Sequence, residues 1–457
     1  MKPFSPTGGK ATPITIVTKA GLKIWLAGRP AAEKRWVKSA GFTGAAGKTC
    51  LTPGKDGSLS RVLLGVSDPV EIWDTGSLAR TLPEGTYKLD GVRAKEAATR
   101  LALGWALGAY RYDVYRQPAP LKTSLRWPKA CDRAYVTQAM EATFLVRDLI
   151  NTPADDMGPS ELEKAVRALA RKHKATFRAI RGKQLLARNY PSIHAIGRAS
   201  DDAPRLLDVT WGRPRDPKVT LVGKGVCFDT GGLDIKPAAG MKLMKKDMGG
   251  AAHVLGVASM LMAAKARVRL RVLIPAVENN IAGNAIRPLD VITSRNGKTI
   301  EIGHTDAEGR VILADALAEA AREKPKMIID FATLTGAARV ALGTDLPALF
   351  SNDDVLAEAI LKAGTVVQDP LWRLPLWPGY RRLITGKTAD ISNSPESPFG
   401  GAITAALFLQ EFVKPSTTWA HIDLMAWNAG TRPGRPEGGE AMSLRAVYQA
   451  ILDQISA

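Results

Sequence analysis

The sequence predicts a two-domain α/β protein, with a smaller N-terminal α/β domain at 1–140 and a larger domain at 141–457. Three observations support this prediction. The 457 residues exceed one ordinary domain. Strand-like and helical segments alternate in the second part, which favours a mixed, mostly parallel sheet flanked by helices. A dense group of turn and cap residues at 151–160 follows a helical stretch, which places the boundary near 135–155 with that helical stretch as the connecting element.

Apolar periodicity and turn residues assign the individual elements. In the first part they predict strands at 14–17, 22–27 and 62–66, and helices at 96–115 and 137–149. Ser160 and Glu163 predict a capping box for a helix that runs to about Lys174. In the second part, strands are predicted at 219–222, 268–277, 299–302 and 327–331, and helices at 249–264 and 311–322. Ligands of such sheets bind at the carboxyl ends of strands.

Composition excludes several protein classes. A hydrophobic fraction of 45% excludes a mainly disordered chain, and three scattered cysteines exclude a disulfide scaffold. The longest uncharged apolar stretch, at 251–264, is shorter than the ~18–20 residues that span a bilayer. Residues 1–10 do not lead into the apolar segment of a secretory signal. We therefore expect a soluble protein of the cytoplasm with no membrane partner.

The charge is strongly basic and unevenly distributed. The chain has 63 Lys and Arg against 44 Asp and Glu, a net charge of +19. Residues 1–150 alone contain 23 basic and 12 acidic side chains. This excess is compatible with a nucleic-acid surface in the N-terminal domain. It is also compatible with a solubility charge that has no partner, which the absence of any Lys/Arg block longer than three residues favours, and composition leaves both interpretations open.

The residues suited to catalysis lie in two glycine-rich polar segments, at 224–250 and 304–310. Together they supply four carboxylates, Asp229, Asp247, Asp306 and Glu308. If 304–310 is extended, residues two apart point the same way, so Asp306 and Glu308 can reach one centre. Hard divalent cations prefer such oxygen ligands, and four carboxylates are enough for two ions. Lys236 and Arg310 would then be left to meet substrate or anion charge.

Simpler interpretations of the same residues remain open at this point. Two acids two residues apart are common on solvated surfaces, Lys224 beside a glycine would suit a turn, and Asp247 would suit a helix N-cap. The argument for a metal site rests on two such loops that follow strands of the same predicted sheet.

These segments resemble the leucyl (cytosolic) aminopeptidase family of two-metal exopeptidases. The resemblance is carried by VGKGVCFDTGG at 222–232, KPAAGM at 236–241, KDMGGA at 246–251 and TDAEGR at 305–310. RDLINTP at 147–153 and ATLTG at 332–336 add to it. It covers about 140–430, so residues 141–457 are expected to form the catalytic di-metal aminopeptidase domain.

The resemblance implies the roles of the polar residues. Two divalent ions, Mn²⁺ or Zn²⁺, would be held by Lys224, Asp229, Asp247, Asp306 and Glu308, with Asp229 and Glu308 shared between them. Lys224 would bind as a neutral amine, which requires a depressed pKa. Lys236 would polarise the scissile carbonyl, and Arg310 would hold a bicarbonate that acts as general base. The five histidines are scattered without an HExxH pattern, which disfavours the common zinc-protease arrangement.

The resemblance also implies a substrate pocket and an assembly. Met244, Thr333, Gly336 and Met425 would line the side-chain pocket, and the active sites of a homohexamer would face an inner cavity that admits short peptides. Three positions depart from the family pattern. His304 replaces Asn and is interpreted as a hydrogen-bonding neighbour of the ligands, and Lys246 replaces an aromatic residue. Met425 replaces Ala, so it would either narrow the pocket or turn into the core.

The expected function is therefore a metallo-aminopeptidase that releases N-terminal amino acids from short peptides by two-metal hydrolysis. One alternative is a DNA-binding architectural protein that uses the same fold, or both roles together, because the first third is so basic. An inactive scaffold of the same fold is disfavoured by the complete ligand set.

Overall fold

A computed structural model describes residues 2–6, 8–117 and 120–456. The chain forms two compact units. One contains the residues up to 144 together with 429–437, and the other contains 145–428 and the residues from 438 onward. The division at 144/145 falls within a helix, Arg133–Asn151, which contains the predicted helix 137–149. The predicted N-terminal domain, 1–140, lacks residues 429–437, which belong to the first unit.

The first unit is a small α/β structure. Among its described residues the strands are β1 (Phe4–Ser5), β2 (Thr12–Val17), β3 (Thr49–Pro53), β4 (Leu59–Gly65), β5 (Gly85–Asp90) and β6 (Thr123–Arg126). The helices are α1 (Leu22–Ala27), α2 (Ala31–Ser39), α3 (Leu78–Thr81), α4 (Lys95–Ala109) and the first part of α5 (Arg133–Asn151). The strands form one sheet in the order β1-β6-β5-β2-β4-β3, parallel except for the β3–β4 pair.

Two predictions in the first unit were wrong. The run 22–27 is helix α1, not a strand, because the side chains that pack on the neighbouring core are Leu22, Trp25 and Leu26. Their spacing of i, i+3 and i+4 is helical, and Ile24 between them is 79% exposed. Helix α4 ends at Ala109 rather than near 115, because Tyr110 leaves the helical conformation with φ −57° and ψ 140°.

The second unit is larger and contains the elements from α6 onward. Its strands are β7 (Thr176–Arg181), β8 (Arg205–Trp211), β9 (Lys218–Gly223), β10 (Gly225–Asp229), β11 (Arg269–Asn279), β12 (Val291–Thr293), β13 (Thr299–Glu301), β14 (Met327–Ala332), β15 (Ala348–Ser351), β16 (Trp372–Arg373), β17 (Ile391–Ser392), β18 (Trp419–Asp423), β19 (Trp427–Asn428) and β20 (Gly438–Gly439). Its helices are α6 (Pro159–Lys172), α7 (Gln184–Ala187), α8 (Pro191–Gly197), α9 (Ala238–Met241), α10 (Gly249–Ala263), α11 (Glu308–Arg322), α12 (Gly336–Leu342), α13 (Asp354–Val366), α14 (Gly401–Gln410) and α15 (Leu444–Ser456).

The main sheet of this unit is mixed and mostly parallel in its centre, as predicted. Its strand order is β16-β15-β18-β14-β9-β11-β8-β7, and β10 pairs with β11. Strands β18, β14, β9 and β11 run parallel, and Leu221 of β9 pairs with Ile329 of β14 and Val272 of β11. Helices α10 and α11 pack on these strands. The carboxyl ends of these four parallel strands therefore lie at one edge of the sheet, and the polar segments of the sequence follow there.

The capping box predicted at the start of α6 was wrong. The helix begins at Pro159, so Ser160 lies inside it and its hydroxyl donates 2.8 Å to Glu161 Oε2. Glu163 turns away from the helix start and pairs with Arg167, Arg181 and Arg205. These arginines, Arg181 first, lower the pKa of Glu163 to about 2 against the opposing effect of burial.

None of the helices in residues 2–6, 8–117 and 120–456 has the length and apolar character needed to cross a membrane.

The start of α10 lies against two backbone segments that lead into the site. A Cβ added at Gly250 would lie 2.1 Å from Phe331 O and 2.8 Å from Lys224 N. We expect Gly250→Ala to lower the free energy of unfolding by more than about 2 kcal/mol, because backbone cannot yield as a side chain can. Gly283→Ala, with nothing within 4 Å of the added carbon, should change it by less than about 0.5 kcal/mol. Urea unfolding of both variants would check this, and equal stabilities would contradict it.

Candidate metal centre and substrate cavity

A cavity of about 590 Å³ opens at this edge of the sheet in the second unit. Its lining includes all seven residues that the sequence assigned to metal binding or catalysis: Lys224, Asp229, Lys236, Asp247, Asp306, Glu308 and Arg310. Lys224, Asp229, Asp247 and Glu308 are 2% exposed or less. So many buried charges require close pairing or bound ions, since an isolated buried charge is very costly.

Several of the charged residues lie at or next to the end of a regular element. Lys224 follows β9, and its backbone N donates 3.0 Å to Phe331 O of β14. Asp229 is the last residue of β10, and Asp247 lies in a 3₁₀ helix, Met244–Met248, that leads into α10. Asp247 therefore does not act as the N-cap of α10, which is Met248.

The segment around Asp306 is not extended, contrary to the geometry assumed from the sequence. Residues 305 and 306 form a turn, and Glu308 is the first residue of α11. The helix start brings both carboxylates to the cavity, where its N-terminal end also favours negative charge. Gly309 is the second residue of this helix. A Cβ there would lie 2.6 Å from Lys224 Cε, so its missing side chain makes room for the lysine.

Two lysines pair with the four carboxylates. Lys224 Nζ lies 2.7 Å from Asp247 Oδ2 and 2.9 Å from Glu308 Oε1, and it donates 2.9 Å to Thr333 O. Lys236 Nζ lies 2.9 Å from Asp229 Oδ2 and also pairs with Asp306. Carboxylate oxygens of Asp229, Asp306 and Glu308 all lie within 4.8 Å of one another.

The electrostatics of the cluster follow from burial and crowding. Burial raises the pKa of Glu308 to about 8 and that of Asp229 to about 6, and neighbouring carboxylates add to both shifts. Burial lowers the pKa of Lys224, but Asp247, Glu308 and Asp229 outweigh it and hold the pKa above its ordinary value. Without other cations, Lys224 is thus kept protonated by the carboxylates around it.

The donor set fits divalent ions. Asp247 Oδ2 and Glu308 Oε1 are buried and accept no hydrogen bond of normal geometry within the described residues. Both oxygens contact Lys224 Nζ as ion pairs, and an ion could take the place of that charge because no hydrogen bond of good geometry holds either oxygen. Carboxylate oxygens and one amine nitrogen suit Mn²⁺ or Zn²⁺.

Arg310 also has an unused donor. Its Nη1 donates 2.7 Å to Asn393 O, whereas its buried Nε has no hydrogen-bond partner among the described residues. Burial lowers the pKa of Arg310 to about 10, against the opposing effect of Glu308 and Asp423. The guanidinium keeps its positive charge, so an anion in the cavity could accept from the free Nε.

Three of the four expected pocket residues line the cavity: Met244, Thr333 and Gly336. Met425 is buried and does not line it, whereas its neighbour Leu424 does. The Sδ atom of Met425 lies 3.4 Å from Nη1 of Arg339, which is itself a lining residue. Met425 thus contacts the cavity wall through Arg339.

Lys246 and His304, which depart from the family pattern, lie in different surroundings. Lys246 lines the cavity and is 4% exposed. Burial lowers its pKa to about 8, with Arg339 and Lys224 adding to the shift and Asp247 opposing it. His304 is half exposed, and its Nδ1 accepts a 3.1 Å hydrogen bond from Asp306 N.

The chain matches the sequence pattern of the cytosol aminopeptidase family. The catalytic-domain pattern matches residues 144–448, and the pattern for the M17 aminopeptidase N-terminal domain matches residues 12–128. The chain belongs to the cytosol aminopeptidase family. Its members are metal-dependent aminopeptidases, so this chain is a hydrolase that binds divalent metal and acts on peptides.

Named relatives and solved structures agree with this assignment. The chain is 38% identical to a probable cytosol aminopeptidase of Brucella anthropi, over 98% of this chain and 95% of that protein. A crystal structure of cytosol aminopeptidase from Coxiella burnetii is 51% identical, covers 99% of both chains and has a TM-score of 0.95. The bottromycin maturation enzyme BotP in complex with Mn is 34% identical, with 98% and 100% coverage and a TM-score of 0.88.

The sequence did not reveal the residues that hold the aminopeptidase loops in place. Asn279 Nδ2 donates 2.9 Å to Asp229 Oδ1 and 3.1 Å to Thr305 O. Thr305 in turn links the two polar loops, donating 2.6 Å to Gly231 O and accepting 2.8 Å from Asp234 N. Asn279 is the last residue of strand β11. A polar residue at the end of a predicted strand was therefore the sequence signal that could have identified it.

Asn393 was also missed, and no sequence signal pointed to it. Its Oδ1 accepts 2.8 Å from Gly303 N and its Nδ2 donates 2.8 Å to His304 O, while its backbone O holds Arg310. It lies more than 80 residues beyond the loop it orders, in a segment without periodicity.

Asn279 should affect metal affinity without binding metal itself, because it orients Asp229. We expect Asn279→Ala to weaken Mn²⁺ binding about 10- to 100-fold, as is usual when a ligand loses its hydrogen-bonding partner. Calorimetric titration of metal-stripped protein would measure this. Asn280→Ala, one residue along and without a contact to the carboxylates, is the matched control. Equal affinities of the two variants would refute a positioning role for Asn279.

Proposed function

We propose that this aminopeptidase hydrolyses its substrates with two divalent ions held by Lys224, Asp229, Asp247, Asp306 and Glu308. The observation that carries the proposal is the closeness of four carboxylates and one lysine in a single buried cavity. Two of their oxygens, on Asp247 and Glu308, are buried and contact Lys224 Nζ as ion pairs without hydrogen-bond geometry. With Lys224 bound as a neutral amine, two divalent ions balance the four carboxylates and leave Lys236 and Arg310 to meet substrate or anion charge.

Two carboxylates, those of Glu308 and Asp229, are placed so that both proposed ions could bind them. Glu308 lies next to Lys224, Asp229 lies next to Lys236, and oxygens of both come within 4.8 Å of each other. We therefore assign Asp229 and Glu308 as the carboxylates common to both ions. Bound cations would oppose protonation of Lys224, which is what its ligation as a neutral amine requires.

The ions, when bound, supply Lewis acidity that activates water and polarises the scissile carbonyl. The side chains then divide the remaining tasks. Lys236, only 14% exposed, is placed to donate to the oxyanion that develops on the substrate carbonyl. Arg310 offers its free Nε to a bicarbonate ion, whose basic oxygen would accept the proton lost by water.

The remaining parts of the proposal follow from the family. The substrates would be short peptides with a free α-amine, and the metals would be Mn²⁺ or Zn²⁺. The protein would act in the cytoplasm as a homohexamer. BotP was solved with Mn, which supports the first of these metals. The prediction that the basic N-terminal domain binds nucleic acid stays a prediction, with net charge as its support.

Removal of a proposed ligand should abolish both metal binding and catalysis. We expect wild-type protein to contain two Mn²⁺ per chain. Its hydrolysis of leucine anilide should stop when the metal is removed and return when Mn²⁺ is added back. Asp306→Asn should lose at least about 100-fold in kcat and bind fewer ions. Asp201→Asn, on the exposed surface, is the control for the same chemical change. Full activity with one ion per chain, or after complete metal removal, would disprove the two-metal proposal.

Arg310 should make the rate depend on bicarbonate. In buffer freed of carbon dioxide, wild-type kcat should rise as bicarbonate is added. Arg310→Met should lower kcat about 100-fold or more and remove this response, because a positioned general base typically contributes that much. Arg322→Met, further along the same helix and exposed, should respond like wild type. A bicarbonate response retained by Arg310→Met would rule out this role.

A further inference from the structure

Two cations of the cavity have no acidic partner. Lys246 and Arg339 both line it, and neither has a carboxylate oxygen within 4.0 Å in the part of the chain that the structure describes. Among the described residues Lys246 Nζ makes no hydrogen bond, and the guanidinium of Arg339 has the sulfur of Met425 as its hydrogen-bonding partner. Lys224 and Lys236 in the same cavity are each paired with two carboxylates.

The nearby acidic groups are already occupied. Asp423 accepts 2.9 Å from Leu334 N, 3.2 Å from Thr335 N and 2.6 Å from Thr335 Oγ1. Glu396, which also lines the cavity, pairs with Lys387. The carboxylates of the metal centre would be neutralised by the ions they hold. Lys246, which is buried, and Arg339, which is half-buried, therefore leave positive charge at the cavity wall without an ion-pair partner among the described residues.

The two cations lie where the pocket for the substrate's N-terminal side chain is expected. Lys246 is two residues from Met244 in the same 3₁₀ helix. Arg339 is one turn along α12 from Gly336, and its Nη2 lies 3.4 Å from the position of a Cβ on that glycine. Residues three apart on a helix share a face, so the guanidinium folds back over the pocket wall.

We infer that this pocket selects an acidic N-terminal residue, with Lys246 and Arg339 binding the side-chain carboxylate of Glu or Asp. This inference rests on the proposed function, since it names the substrate class of the same site. A neutral side chain in the pocket would leave both cations unpaired. A pocket built to bond a polar group discriminates strongly against substrates that lack it.

The direct test is hydrolysis of three anilides, of glutamate, glutamine and leucine, by full-length Mn²⁺-loaded protein. Glutamate and glutamine have nearly the same shape and differ in charge, and an anilide has no C-terminal carboxylate. We expect kcat/KM for glutamate to exceed that for glutamine at least about tenfold. Lys246→Met and Arg339→Met should each lower the glutamate value about 10- to 100-fold and change the other two less than about threefold.

Control variants separate charge in the pocket from net charge and from damage to the fold. Lys242→Met removes an exposed charge nearby that does not line the cavity, so it should keep the preference. Lys246→Arg keeps the charge and should retain most of the glutamate activity. Losses of similar size for all three anilides in both methionine variants would show a structural role and overturn the inference.

A carboxylate also occurs at the C-terminus of a short peptide, and the dipeptide Leu-Gly tests that source. If Lys246→Met slowed Leu-Gly but not Leu-Gly amide, the cations would bind the peptide end and the assignment to the N-terminal side chain would be wrong. Glutamine or leucine anilide cleaved as fast as glutamate anilide would overturn this inference alone. No turnover of any anilide would overturn the proposed function and this inference with it.

Discussion

The compensation of buried charge in one cavity is the constraint that the rest of the catalytic unit satisfies. Asp229, Asp247 and Glu308 are nearly inaccessible to water, and each would be too costly to ionise alone. Lys224 and Lys236 reduce that cost by lying within 3 Å of carboxylate oxygens. The pairing is possible only because parallel strands bring distant segments of the chain to the same sheet edge.

Polar contacts fix the loops around the cavity. Asn279 and Thr305 tie the loop after β10 to the loop before α11, and Asn393 fixes the latter from the other side. Lys224 reaches the carboxylates across Gly309, where any side chain would block it. The positions of the charged groups are therefore set before any ion binds, which lowers the cost of ordering the site on binding.

The sequence predicted best those strands and helices whose position depends on a single local segment. Strands β9 and β14 and helix α10 were predicted to within about one residue, because each is a largely apolar run bounded by charged, polar or glycine residues. The sheet of the second unit and the group of charged residues followed from these elements. Residues 22–27 were misassigned because six residues fit both periods, and packing of Leu22, Trp25 and Leu26 decided between them. The roles of Asn393 and Arg339 depend on contacts more than 80 residues away, which no local pattern encodes.

In the cavity, the residues proposed for catalysis lie in recognisable sequence motifs, whereas the residues proposed for substrate selectivity do not follow those motifs. The proposed metal ligands and Lys236 and Arg310 all belong to motifs that resemble those of the family, so they account for hydrolysis but not for which residue is removed. Lys246 departs from the family pattern, and Arg339 lies outside those motifs. With two ions bound, the ligand carboxylates are balanced, and these two cations remain without a counter-charge. A substrate whose N-terminal side chain supplies this negative charge would be favoured over one with an apolar side chain such as leucine.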